Sequence, residues 1–308
     1  MQTENNIFGE LKNLINNGGM TMKLIFANLF VFLLISLSEG SARLLGFGAG
    51  SPISLFIHSV FTLQTGFFAF ITHPWGIFTS IFAHYDFMHL LWNMIFLYFS
   101  GRMFEQFFSQ KRLLYTYLLG GIFGGILEIL AFSLFPSAGA GAIVGASGGV
   151  MAVLAALAFH RPKMKVALYG IINVPIILIA GIFIVRDILS LGANDGVAHF
   201  AHLGGAVIGL TSIQNLYSHS NIVTVANRIG DRIVQFFKVL FNPTTTPKMK
   251  VKKGATSNRP FKTDEDFNQE KKRRQEKTNI ILDKISKSGY ESLNKEEKDF
   301  LFRQSNNA

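Results

Sequence analysis

Residues 136–159 read PSAGAGAIVGASGGVMAVLAALAF. From Ser147 to Phe159 the run is apolar and helix-forming, yet it offers only 13 residues. At 1.5 Å per residue that is about 20 Å, against a bilayer hydrocarbon core of about 30 Å. The stretch before it, Pro136–Gly145, is rich in glycine and small residues and is a poor helix former. Irregular backbone at membrane depth persists only where protein shields it or water reaches it. The segment is therefore expected to be a short helix that starts inside a bilayer, at the floor of a cavity, with Ser147 in its first turn.

Composition supplies the bilayer. The chain has 308 residues, 49% of them hydrophobic and 16% charged, whereas a soluble domain carries about 25% charged residues. Residues 222–308 hold 19 of the 29 Lys and Arg and 11 of the 19 Asp and Glu, so this tail supplies +8 of the +10 net charge. The charges left for residues 1–221 are too few to cover a globular surface. No cysteine is present, which excludes disulfides, zinc-thiolate sites and a cysteine nucleophile. The basic tail suits anionic lipid headgroups as well as nucleic acid, and nucleic acid is not expected as a partner.

An all-α polytopic membrane protein with six spans follows from the apolar runs. They are Met22–Leu37, Phe87–Phe104, Leu113–Phe132, the short Ser147–Phe159, Val166–Ile188 and Val197–Ile213. The first reads as a retained anchor, because a long leader containing Glu4 and Glu10 precedes it and further spans follow. In the first outer loop, 38–86, Ile53–Leu63 and Gly66–Ile71 are too short to cross and fit helices lying in the interface. Basic residues gather in the loops after span two (Lys111, Arg112) and span four (Arg161, Lys163, Lys165). The positive-inside rule then puts both termini in the cytoplasm of an inner-membrane protein and opens the cavity above Ser147 outward. The expected organisation is a cytoplasmic segment 1–21, a membrane domain 22–215, an interfacial amphipathic helix 222–241, a disordered linker 242–278 and a small helical hairpin 279–308. In the hairpin, Gly289 reads as a C-terminal cap and Asn294 with Glu297 as a capping box.

Three polar clusters lie in these apolar surroundings, where polar groups signal function by default. Gly145, Ser147 and Gly148 open span four. In span six His202 lies one turn before Gly205, and Gly205 and Gly209 have the small-xxx-small spacing that lets helix backbones approach closely. In span two His89 and Asn93 share a face, with His84 just before the helix. Each cluster alone also fits packing or an interhelical polar clamp. Together they supply a nucleophile, a base and hydrogen-bond donors for a developing oxyanion, which is the equipment of a serine hydrolase.

The sequence resembles the rhomboid intramembrane serine proteases over about residues 20–215. The likeness rests on His84, His89 and Asn93, on Gly145-Ala-Ser147-Gly148, on His202 with Gly205 and Gly209, and on Gly101-Arg102 with Glu105. The resemblance implies a six-helix bundle and a Ser147–His202 dyad without a third acid. It also implies an oxyanion hole of His89, Asn93 and the Ser147 amide, with transmembrane-helix proteins as substrates entering beside span five. No cofactor or metal is implied. Two positions depart from the family pattern: Gly76 follows Trp75 where arginine is frequent, and Met151 stands where many members carry an aromatic residue against the catalytic histidine.

A catalytically inactive rhomboid-like binder of membrane helices is the alternative, and the presence of both Ser147 and His202 favours the enzyme. A transporter using the intramembrane histidines is a third reading. A metal site among His84, His89, His199 and His202 would need a carboxylate that the sequence does not place nearby. Asp195 is expected at a solvated loop end rather than against His202, and Glu128 in span three is expected to face a polar partner.

Overall fold

Among the described residues two helices are long and apolar enough to cross a bilayer, Gly19–Leu44 and Gln110–Leu134. They belong to a computed structural model that describes residues 7–47, 51–137, 141–168, 172–193, 195–241 and 264–305. The chain divides into two compact units, residues 1–243 and 244–308.

The first unit runs α1 (Ile7–Asn17), α2 (Gly19–Leu44), α3 (Pro52–Phe61), β1 (Leu63–Gln64), α4 (Phe67–Thr72), α5 (Gly76–Thr79) and a 3-10 turn at Ser80–Phe82. It continues with α6 (Phe87–Phe104), α7 (Gln110–Leu134), β2 (Ala142–Ile143), α8 (Ser147–His160), β3 (Lys165–Leu168) and β4 (Ile172–Pro175). It ends with α9 (Ile176–Leu189), α10 (His199–Ile213) and α11 (Ile222–Phe241). Short polar side chains begin several of these helices by accepting an otherwise unpaired backbone N–H. Asp86 takes the His89 N–H at 2.7 Å to start α6, and Ser109 takes that of Arg112 to start α7.

The core is α8, buried without interruption from Gly148 to Ala158 and surrounded by α6, α7, α9 and α10. Large apolar side chains on the outer helices point away from it instead, among them Phe30 and Leu33 of α2, Leu130 of α7 and Ile182 of α9. A soluble protein seldom exposes so many of these, and hydrocarbon accommodates them. The close packing around α8 needs glycine. A Cβ on Gly205 of α10 would overlap the carbonyl oxygen of Gly148, and one on Gly124 of α7 would overlap that of Ala201.

Polar ties fix the ends of the bundle. Glu105, just after α6, accepts the Met20 N–H at 2.6 Å and the Thr21 hydroxyl at 2.8 Å, capping the start of α2. Arg102 donates to the Gly18 carbonyl nearby. Buried Tyr117 of α7 donates to the Ile81 carbonyl and accepts from Asn28 of α2. The loop after α2 is held by Trp75, whose Nε1 donates to the Ser59 carbonyl at 2.9 Å, and by pairing of Leu63 with Ile143. The departure at Gly76 has a steric cause, since a Cβ there would lie 2.6 Å from the Thr62 carbonyl oxygen.

Three expectations are corrected. The expected fifth span, Val166–Ile188, is helical only from Ile176. Its first part is an antiparallel hairpin that pairs Lys165 with Pro175 and Leu168 with Ile172. Hydropathy does not separate a buried strand from a helix, and Pro175 supplies the break, being tolerated at a helix start and not within it. The two short sheets, β1–β2 and β3–β4, also mean that the fold is mainly helical rather than all-α. In the second unit α12 (Asp264–Ser288) enters the stretch expected to be disordered, 242–278, of which 242–263 lie outside the described residues. Few apolar residues do not bar a helix when Glu, Lys, Gln and Arg, all good helix formers, dominate.

A 3-10 turn at Tyr290–Ser292 links α12 to α13 (Lys295–Ser305), with Ile281 and Leu293 buried within this unit. Asn294 and Glu297 exchange reciprocal bonds of 2.8 Å, a capping box. Lys284 pairs with Glu297 at 2.9 Å.

Backbone contact at Gly205 makes a definite prediction. Gly205→Val should lower the thermal unfolding midpoint in detergent by several degrees, since overpacking costs about 1–3 kcal/mol. Gly181→Ala, on α9 with nothing within 4 Å of its Cβ position, should leave the midpoint unchanged or slightly raised. Equal responses would refute the close approach of α8 and α10.

Candidate active site

The turn that leads into α8 is built from its neighbours. The Gly145 N–H donates to the Ser80 carbonyl at 2.9 Å, and the Ala146 N–H donates to Nε2 of His84 at 3.4 Å. Gly145 has φ +127°, a conformation that residues with a Cβ rarely adopt. A Cβ there would also lie 2.8 Å from Cε1 and 2.9 Å from Nε2 of His89. His89 is thus pressed against the backbone two residues before Ser147. His84 meets it edge to face, with ring centroids 5.0 Å apart. Asn93, one turn further along α6, is buried and donates to the His89 carbonyl at 3.0 Å, and its second amide hydrogen has no acceptor among the described residues.

His202 approaches from α10. Its turn is fixed by Glu128 of α7, whose buried carboxylate accepts the Ala201 N–H at 3.1 Å. This is the partner expected for Glu128, and it satisfies one of the unpaired donors of a helix start. Because Gly205 touches Gly148, the turn carrying His202 lies beside the start of α8, where Ser147 is half-buried. No hydrogen bond joins Ser147 to His202 among the described residues. Met151 is buried in the core, and Gly209 repeats the close contact one turn on, against Ala152.

The neighbour of His202 that the sequence reading missed is Asp187 of α9. Nδ1 of His202 lies 3.1 Å from each Asp187 oxygen, and Nδ1 of His199 lies 2.8 Å from Oδ1. Nε2 of His199 faces Asp195 at 3.2 Å. A carboxylate therefore touches His202. It is Asp187, while Asp195 serves His199. The Asp195 carboxyl is held below its usual range by the Val197 N–H and, secondarily, by His199. The available signal was an acid, beside Arg186, at the end of an otherwise apolar span. The donor atoms of Asp187, His199 and His202 lie within 4.8 Å of one another, close enough for a small cation. Their mutual hydrogen bonds account for all of them without one.

Residues 72–218 match the family model described as Rhomboid domain, and residues 262–307 match a family of unknown function, DUF6576. RHOMBOID-like protein 12, mitochondrial, of Arabidopsis thaliana is 35% identical over 144 residues, which cover 42% of this chain and 43% of that protein. Presenilin-associated rhomboid-like protein A, mitochondrial, of Danio rerio is 30% identical, covering 46% and 37%. Rhomboid-like protease 3 of Toxoplasma gondii is 28% identical, covering 54% and 57%. The chain spans less than half the length of the first two.

His84, ahead of α6, carries a pH prediction. Burial, and then His89, lowers it from 6.5 to about 3. The stability that its neutral form supports is complete above pH 6.5. Below that the unfolded chain binds a proton that the folded one refuses, so stability falls progressively toward pH 3. His84→Asn keeps an acceptor for Ala146 and should flatten the loss of unfolding free energy between pH 6.5 and 4. An unchanged slope would refute the assignment.

Proposed function

We propose, for a chain that belongs to the rhomboid family, that it acts as an intramembrane serine endopeptidase cutting proteins in or beside their transmembrane segments. The observation that carries this reading is the contact of Gly148 with Gly205, which puts the Ser147 and His202 turns side by side. In the proposed reaction His202 removes the Ser147 proton as Oγ attacks the substrate carbonyl. His89, the second Asn93 amide hydrogen and the Ser147 N–H receive the oxyanion. His202 then protonates the leaving amine, and water hydrolyses the acyl-enzyme by the same steps in reverse order of roles. No cofactor takes part.

The proposed topology has six crossings, formed by α2, α6, α7, α8, α9 and α10, with both termini cytoplasmic and the site opening outward. Loop charge supports it. Substrate would arrive beside α9, where Leu178, Ile182 and Val185 are exposed around Gly181. Its helix must unwind there, because a helical peptide holds its carbonyls in its own hydrogen bonds. α11 would lie in the interface, with Ile233, Phe236 and Leu240 in the acyl region and Arg228, Arg232 and Lys238 toward anionic headgroups. A catalytically inactive helix binder would need the lateral groove but neither Ser147 nor His202.

Wild-type protein in detergent should label with a fluorophosphonate and cleave a co-expressed single-span reporter, and Ser147→Ala should do neither. Asn93→Ala should lower kcat by about 10²–10³, the cost of one oxyanion donor in a soluble serine protease. Cleavage by Ser147→Ala at the wild-type rate would end the reading.

A further inference from the structure

Asp187 is almost fully buried, yet it accepts from two imidazoles on α10. A carboxylate only accepts hydrogen bonds, so each ring nitrogen that faces it must carry a proton. His199 faces carboxylates with both nitrogens, Nδ1 toward Asp187 at 2.8 Å and Nε2 toward Asp195 at 3.2 Å. Asp187 thus has two imidazole partners, which matters because a buried carboxylate survives only when paired and hydrogen-bonded. With Asp187 ionised, His202 bears its proton on Nδ1 and offers a lone pair at Nε2 to a neighbouring hydroxyl.

Resting on the protease reading, we infer that Asp187 is a positioning residue that completes a Ser147–His202–Asp187 triad, with His199 and Asp195 behind it. Asp187 fixes the tautomer and ring orientation of His202 and stabilises the imidazolium that forms when Oγ gives up its proton. The proton passes from Ser147 Oγ to His202 Nε2 and then to the leaving nitrogen. Asp187 remains a carboxylate throughout. The other titratable groups on the packed elements are Arg186 of α9, 4.0 Å from Asp195, Glu128 of α7 on the Ala201 N–H, and His89 of α6. None of these is hydrogen-bonded to His202 among the described residues.

The test compares wild type, Ser147→Ala and Asp187→Asn, each full-length in detergent, by fluorophosphonate labelling and by cleavage of the single-span reporter from pH 5 to 9. An amide can donate to Nδ1 and select the wrong tautomer, a change that costs about 10⁴ in kcat in soluble serine proteases. Asp187→Asn should lower kcat by about 10²–10⁴ with KM little changed. Its acid limb should also move to lower pH by about one unit, since the imidazolium loses its counter-charge. A purely structural role would lower the plateau and leave the limb in place.

Wild-type protein inert to the probe and to the reporter would overturn the protease reading itself. A reactive wild type, with Asp187→Asn within about twofold and its limb unmoved, would overturn the triad alone. A readout independent of variant folding is nitrogen NMR of histidine-labelled wild type, with His202 assigned through a His202→Gln sample. Neutral His202 protonated at Nδ1 supports the triad, and protonation at Nε2 overturns it.

Discussion

The carbonyl oxygen of Gly148 occupies space that any side chain on Gly205 would need, so α8 and α10 meet backbone to backbone. Van der Waals packing, rather than a difference in polarity, holds helices together in lipid. A short buried helix gains most when its neighbours come close along its whole length. α8 achieves this with Gly148, Gly149 and a run of alanines facing glycines on α7 and α10. The same closeness brings the first turns of α8 and α10 together, so one packing solution serves both stability and the proposed chemistry. The first N–H groups of a helix lack partners within it.

The chain leading into α8 satisfies its backbone donors with protein partners. Ser80 and His84 do so for Gly145 and Ala146, and Glu128 does so for the start of α10. Several polar residues that look out of place in apolar runs therefore act as caps. Glu105 has the same function at the start of α2. Their burial is tolerated because each meets donors that would otherwise be unpaired.

Elements with local signals were legible in the sequence. Phe87–Phe104 is the helix read from hydropathy, bounded by an Asp86 cap, and α8 begins at Ser147 because glycine-rich sequence precedes it. The family resemblance selected the residues that converge on that turn. The hairpin before α9 was not legible, because β-branched apolar residues suit strand and buried helix alike. Asp187 was missed for a different reason. A carboxylate two residues from a span's end, beside Arg186, reads as a solvated terminus, and only the packing of α9 on α10 reveals that it turns inward. Asp195 drew attention by its sequence distance from His202, yet the histidine it serves is four residues away.

How a membrane protein can keep a buried carboxylate here follows from its place in a graded chain. Side-chain exposure rises from 1% at Asp187 and 3% at His199 to 38% at Asp195 and 52% at Arg186. Carboxylates alternate with imidazole and guanidinium groups along that path, so each buried group has a hydrogen-bonded neighbour, and the series reaches solvent at Asp195 and Arg186. Desolvation penalises isolated ions far more than a neutralised series with one end in water. Shortening α9 to 14 residues places Asp187 in its last turn, near that loop. The short α9 and the buried acid are thus linked. Were Asp187 one or two turns deeper, His199 could not reach both carboxylates, and the acid would be better placed as its neutral form, a donor rather than an acceptor.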